Sequence, residues 1–211
     1  MHLIDRLPKP IIFAHRGASK YAPENTMAAF RLAREMGAPA FELDTMLSAD
    51  GIAVVIHDST LDRTTDGSGK VSEKKLDEIR QFDAGTRFRV DYQGEKIPTL
   101  EQVLDEFTSS MLVNIELKNY HAPFDLLPVR VAEMARRINN LDSILFSSFL
   151  PTNLMQIKRL LPGAKTALLV EEGFWWRALA SRTLRFLSPE FIHPNKNYIN
   201  PSYLEKERKL S

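Results

Sequence analysis

The amino-acid sequence predicts an α/β fold built on a mainly parallel sheet, with a β/α barrel ranked above an open doubly wound sheet. Three observations lead there. Seven short apolar runs rich in Ile, Val and Phe recur along the 211 residues, polar turns bound them, and helical patterns separate most of them.

The runs lie at 11–14, 40–47, 52–56, 112–117, 144–149, 165–170 and 191–193 and read as buried strands. Behind the first run, Met27, Phe30, Ala33 and Met36 repeat at helical spacing, and Gly37 supplies a left-handed stop. Further helices are expected at 73–81, 99–108, 125–139, 152–160, 174–183 and 201–209. Strand, helix, strand in this rhythm implies right-handed crossovers and a sheet covered on both faces. One connection departs from it. "ELDTMLSADGIAVVIHD" joins two strands through an Asp-Gly turn, whereas parallel neighbours need a crossover of about a dozen residues. The barrel is therefore expected to be irregular around strands 2 and 3.

The 211 residues and 44% hydrophobic content suffice for one sizeable core, so 1–211 is read as a single domain. Lys plus Arg number 28 against 27 Asp plus Glu, and a net charge of +1 gives no electrostatic case for nucleic acid or an anionic membrane as partner. The absence of cysteine excludes disulfides, thiolate metal sites and a cysteine nucleophile. No run approaches a membrane span and "MHLIDRLPKPIIF" lacks the pattern of a secretory signal, so a soluble cytoplasmic protein is the expectation.

Polar residues concentrate at strand ends. With a side-chain period of two, Glu42 and Asp44 share one face of "FELDT", and Asn114, Glu116 and Lys118 share one face of "LVNIELKN". Carboxylates crowded on a buried face repel one another and lose hydration unless a cation or protons compensate. Glu42, Asp44 and Glu116 thus form a candidate all-oxygen site for one hard divalent cation, Mg²⁺ or Ca²⁺. Any one of these acids alone would read as an ordinary strand-end residue or ion-pair partner.

His15 and His57 follow the apolar runs of "IIFAHRG" and "VVIHD", where parallel strands are expected to end and where barrels carry their chemistry. Imidazole both gives and takes a proton near neutral pH, which suits acid and base roles in phosphoryl chemistry; a structural role or metal ligation are the alternatives. His2, His121 and His193 are assigned to the structural or surface class. Arg16 and Lys118 offer a planar donor fork and a point charge for an anionic substrate, or else ion pairs with Glu42 or Asp44. Gly17 reads as a tight turn or a close approach to ligand, and Pro23 to Thr26 as a helix cap. The loop "DRTTDGSG" at 62–69 reads as flexible or as closing over substrate, and Phe174, Trp175 and Trp176 as core packing or a pocket rim.

"HRGAS", "PENT", "ELD", "VVIHDSTLDRTT", "IPTLEQVL", "NIELK" and "SSF" occur in this order over about residues 11–170, and the set strongly resembles the glycerophosphodiester phosphodiesterases. The resemblance implies a TIM-type (β/α)8 barrel that hydrolyses glycerophosphodiesters to sn-glycerol 3-phosphate and an alcohol. On matching positions it implies His15 and His57 as the acid/base pair, Glu42, Asp44 and Glu116 as metal ligands, and Arg16 and Lys118 as phosphate contacts. It further implies attack of the glycerol 2-hydroxyl on phosphorus, giving a cyclic phosphate that water opens.

Relatives continue beyond "FIHPN" with two further strands that are not found here, so a barrel lacking its C-terminal strands is expected, as a fragment or with an edge covered by a second copy. Two alternatives stand beside the leading reading. One is a related phospholipase of C or D type acting on lysophospholipids; the other is a truncated, inactive phosphate-binding module.

Overall fold

The computed structural model describes residues 2–138, 140–170 and 190–194. The helices expected at 174–183 and 201–209, and the aromatic cluster at 174–176, lie outside the described residues. Strands β1 (Phe13–His15), β2 (Ala40–Leu47), β3 (Ala53–Val55), β4 (Leu112–Leu117), β5 (Ile144–Ser148), β6 (Lys165–Val170) and β7 (Phe191–Pro194) form one sheet. Six of them run parallel in the order β1-β2-β4-β5-β6-β7, an arc of a β/α barrel. The α-helices among the described residues are α1 (Leu3–Arg6), α2 (Met27–Glu35), α3 (Leu76–Ile79), α4 (Leu100–Phe107), α5 (Leu127–Ile138) and α6 (Pro151–Leu160).

β3 corrects the reading of His57. Instead of lying parallel it pairs antiparallel with the outer end of β2, Leu47 opposite Ala53 and Thr45 opposite Val55. The cause is local: Gly51 takes φ +77 in the Asp50-Gly51 turn, and the Ser48 hydroxyl accepts from the Ile52 amide at 3.0 Å, folding the chain straight back. The returning arm closes with the Ile56 amide donating to the Asp44 carbonyl at 3.0 Å, which delivers His57 to the rim from above.

The helix expected at 73–81 is broken. Residues Val71–Glu73 form a 3₁₀ turn, Lys74 and Lys75 are extended, and only Leu76–Ile79 is α-helical. The short helix α1 carried no sequence signal; His2 caps it and hydrogen-bonds the Ile144 carbonyl at 2.8 Å, while Ile4 packs on Ala40, Leu112, Leu145 and Ala167. These are inward-facing residues at the amino ends of the strands, so α1 seals that end.

The two faces of the sheet are chemically distinct because side chains alternate. Outward positions such as Phe41, Leu43, Val113, Ile115 and Phe146 pack under α4, α5 and α6 in the main core. Inward positions change from apolar at the amino ends to Glu42 and Asn114, and then to Asp44, Glu116 and Ser147 toward the carboxyl ends. α2 and α4 hold β2 through an aromatic trio: Phe30 stacks on Phe41 with centroids 4.4 Å apart, and Phe107 meets Phe41 edge-on at 5.2 Å. Gly17 is a packing position, with φ +78 and an added Cβ falling 2.7 Å from the Ala29 carbonyl carbon in α2.

Phe107→Ala removes a fully buried ring from the trio and is expected to lower unfolding free energy by about 3–5 kcal/mol in urea titration; a loss below about 1 kcal/mol would contradict the packing described.

Candidate active site

Register brings the predicted acids together. Asp44 on β2 lies opposite Glu116 on β4, and Glu42 lies one step below, opposite Asn114. Glu42, Asp44 and Glu116 each present a carboxylate oxygen within 4.8 Å of the others, and Asp44 is only 1% exposed. Burial raises the Glu42 carboxyl well above the ordinary glutamate range, and the charges of Asp44 and Glu116 raise it further. Glu116 is raised for the same reasons, burial first and then Asp44.

Two cations reach this cluster. Lys118 Nζ lies 3.5 Å from both Asp44 Oδ1 and Glu116 Oε1, and Arg16 Nε lies 3.3 Å from Asp44 Oδ2. The Arg16 amide also donates to Glu42 Oε2 at 3.0 Å. Both side chains thus make ion pairs with the acids. Glu42 Oε1 is buried without a hydrogen-bond partner. An orphaned carboxylate oxygen beside two other acids is the donor set a hard divalent cation takes, so the residues present fit such an ion.

His15 and His57 both stand at this rim, by different routes. His15 ends β1 opposite Glu42, with Nε2 3.9 Å from Glu42 Oε2. Burial lowers its pKa, and the Arg16 charge adds to that. His57 Nδ1 lies 2.6 Å from Asp58 Oδ1, and Asp58 Oδ2 accepts from Arg63 Nε at 2.6 Å. Those bonds, Arg63 foremost, hold the Asp58 carboxyl at about 2.

Several residues of the site escaped the sequence reading. Thr26 does cap α2, accepting from the Ala29 amide, but its neighbours in "PENT" serve the rim. Asn25 brackets Asp44, donating to Oδ2 at 2.8 Å and accepting from the Asp44 amide at 3.3 Å. Arg16 and Asn25 both adopt φ +58, a left-handed backbone costing about 1–3 kcal/mol each for a non-glycine residue and found where surrounding bonds over-determine it. Glu24 accepts from Arg16 Nη1 at 3.0 Å and from both terminal nitrogens of Arg63 at 2.8 and 2.7 Å. A continuous chain of charges therefore runs from Asp44 through Arg16, Glu24, Arg63 and Asp58 to His57.

The loop at 62–69 is neither floppy nor a free lid. The Thr65 amide donates to the Leu61 carbonyl at 3.1 Å, the Asp83 amide to Asp66 Oδ1 at 2.7 Å, and Arg63 clamps the two carboxylates. Tyr120 is the remaining addition: its hydroxyl donates to Glu116 Oε1 at 2.8 Å, and burial with the Glu116 charge pushes the phenol far above its usual value.

The profile of the Glycerophosphoryl diester phosphodiesterase family matches residues 15–208. The chain belongs to that family. It is 41% identical over 175 residues to a glycerophosphodiester phosphodiesterase of Caldanaerobacter subterraneus, covering 81% of this chain and 72% of the relative. Among solved structures it is similar to a glycerophosphodiester phosphodiesterase from Agrobacterium tumefaciens, with TM-score 0.79, 32% identity, and coverage of 94% of this chain and 82% of that one. It is similar also to an Oleispira antarctica phosphodiesterase solved with its product sn-glycerol-3-phosphate, with TM-score 0.87, 32% identity, and coverage of 98% and 83%. This family member is thus a phosphodiesterase of β/α-barrel type, of which the described residues form an arc. No helix among the described residues is long and apolar enough to cross a membrane.

A group whose folded pKa is raised contributes stability that is present below its unfolded value and lost as pH rises through the folded value. For Glu42 the unfolded value is about 4.3. In chelator, the wild-type melting temperature should fall more steeply than that of Glu42→Gln as pH rises above about 4.3, and Mg²⁺ or Ca²⁺ should restore it in wild type alone. Superimposable profiles for the two proteins would contradict the electrostatics described.

Proposed function

We propose that this phosphodiesterase hydrolyses glycerophosphodiesters to sn-glycerol 3-phosphate and an alcohol by acid/base catalysis between His15 and His57, with the support of one divalent cation. The observation that carries the reading is the convergence of three buried carboxylates, two cations and two histidines on one rim. Glu42, Asp44 and Glu116 would hold Mg²⁺ or Ca²⁺. When bound, such an ion supplies positive charge that draws a phosphate oxygen and acidifies a nearby hydroxyl.

The protein's own groups account for the remaining needs. Arg16 and Lys118 face the phosphate, since both side chains point at the acid cluster, Arg16 Nε has no hydrogen-bond partner there, and a phosphate oxygen can replace a carboxylate in their ion pairs. His15, kept neutral by burial and Arg16, takes the proton from the glycerol 2-hydroxyl as its oxygen bonds to phosphorus. His57 gives a proton to the departing alkoxide as its bond to phosphorus breaks. The Asp58 carboxylate against Nδ1 compensates the ring's charge whenever both nitrogens carry hydrogen and aims Nε2 at the reaction. Water then opens the cyclic phosphate with the two histidines in exchanged roles, releasing sn-glycerol 3-phosphate.

Incubation with glycerophosphocholine and Mg²⁺ or Ca²⁺ tests this by release of sn-glycerol 3-phosphate. His15→Ala and His57→Ala should each lower turnover by about 10²–10⁴-fold. Release equal to wild type in both variants, or metal-stimulated turnover retained in Glu42→Ala, would overturn the assignment.

A further inference from the structure

Arg63 touches no reacting group in the mechanism above, yet its guanidinium joins the two loops that carry the reaction. Nε and Nη2 donate to Asp58 Oδ2 and Oδ1 at 2.6 and 3.3 Å, and Nη1 and Nη2 donate to Glu24 Oε2 and Oε1 at 2.8 and 2.7 Å. Glu24 belongs to the loop after β1, and Asp58 follows β3. One planar fork of donors therefore holds two carboxylates at once, which a lysine ammonium on a flexible stem does not reproduce.

Each carboxylate passes the hold to a residue of the site. Asp58 Oδ1 lies 2.6 Å from His57 Nδ1, and the Arg63 bond is the main reason that the Asp58 carboxyl is lowered to about 2. An ionised carboxylate only accepts, so Nδ1 carries the hydrogen of the neutral ring and Nε2, on the far side, is left bare. Through Asp58 the guanidinium thus fixes both the tilt of the imidazole and its tautomer.

The second arm runs through Glu24. Its Oε1 accepts from Arg16 Nη1 at 3.0 Å as well as from Arg63. Arg16 Nε lies 3.3 Å from Asp44 Oδ2 and, though buried, has no hydrogen-bond partner. Glu24 holds one end of the Arg16 fork while Nε, at the acid cluster, keeps a donor unspent.

The backbone that carries Arg63 is itself fixed. The buried Thr65 hydroxyl donates to the Leu61 carbonyl at 2.9 Å and accepts from the Gly67 amide at 3.0 Å, and the Gly69 amide donates to Asp62 Oδ2 at 3.0 Å. Arg31 supplies a comparison. It donates to both oxygens of Glu106 at 2.9 and 2.7 Å, a similar pair between α2 and α4 that makes no bond to a site residue.

We propose that Arg63 is a positioning residue shared by both sides of the reaction, holding His57 through Asp58 and Arg16 through Glu24. The inference rests on the proposed function for what His57 and Arg16 do. It goes beyond that reading by tying proton transfer and phosphate binding to one guanidinium.

Steady-state release of sn-glycerol 3-phosphate from glycerophosphocholine with Mg²⁺ separates the two arms. Asp58→Asn should act mainly on kcat and Glu24→Gln mainly on KM, whereas Arg63→Ala should lower kcat by about tenfold to a hundredfold and raise KM by about tenfold. Adding Arg63→Ala to Asp58→Asn should lower kcat little further, because both remove the same hold. Arg63→Lys, which keeps the charge but does not span both carboxylates, should restore one parameter and not both. Arg31→Ala should leave both within about twofold of wild type. A change in Arg63→Ala no larger than in Arg31→Ala, effects that add in full to those of Asp58→Asn and Glu24→Gln, or full rescue by Arg63→Lys would overturn the proposal.

Nitrogen NMR of the His57 ring, in chelator and at a pH where the ring is neutral, reads the first arm without turnover. Wild type should show the hydrogen on Nδ1, and Arg63→Ala and the milder Arg63→Gln should show it divided between Nδ1 and Nε2. Absence of release by wild type together with altered His57 spectra in the variants would sink the histidine mechanism and support the positioning role. Normal release with identical spectra in wild type and both variants would do the reverse.

Discussion

Three carboxylates brought into register on adjacent parallel strands impose the constraint on which the rest of the site depends. β2 and β4 pair so that Asp44 faces Glu116, with Glu42 one step below on the same inward face. Such a cluster, nearly withdrawn from water, repels itself and is tolerated only with positive charge or protons supplied to it. Arg16, Lys118, the raised carboxyls of Glu42 and Glu116, and the donor bonds from Asn25 and Tyr120 are all responses to that one demand. Even the left-handed backbone at Arg16 and Asn25 belongs here, since it turns one amide toward Glu42 and one carboxamide toward Asp44.

The fold makes this arrangement possible by separating two tasks along each strand. Stability is carried by the outward face and by the apolar amino ends, where α1 packs on Ala40, Leu112 and Leu145. The acid cluster and its two cations occupy the inward face near the carboxyl ends. The antiparallel arm β3 adds what a plain β/α crossover would not: a reversal that sends His57 back to the rim, followed by a segment that carries Asp58 and Arg63. Charge then couples the two regions, since Glu24 and Arg63 link the acid cluster to Asp58 and His57 in one chain of ion pairs.

Much of this was legible in the sequence because it follows from local rules. Strand positions agreed with the structure to within two residues at each end, and the period of two correctly put Glu42 with Asp44 and placed Glu116 among inward residues. The failures are of a different kind. Glu24 and Asn25 read as parts of a helix cap because capping is a local pattern, whereas their partners Arg63 and Asp44 are 39 and 19 residues away. Arg63 sat in a Gly-rich polar loop whose order comes from ion pairs that spacing does not reveal. The Asp-Gly turn announced that β3 was irregular but not its direction, which only the pairing with the outer end of β2 decides. α1 escaped because four residues are too few to show a helical period.

The most direct test of the central constraint is calorimetric titration of the protein with Mg²⁺ and with Ca²⁺, repeated in buffers of different ionisation enthalpy so that proton release is counted. One ion bound per chain, with proton release favoured by the raised carboxyl of Glu42, and with binding lost in Glu42→Gln, is the predicted result. Absence of binding, or binding to Glu42→Gln equal in affinity and proton release to wild type, would contradict the account.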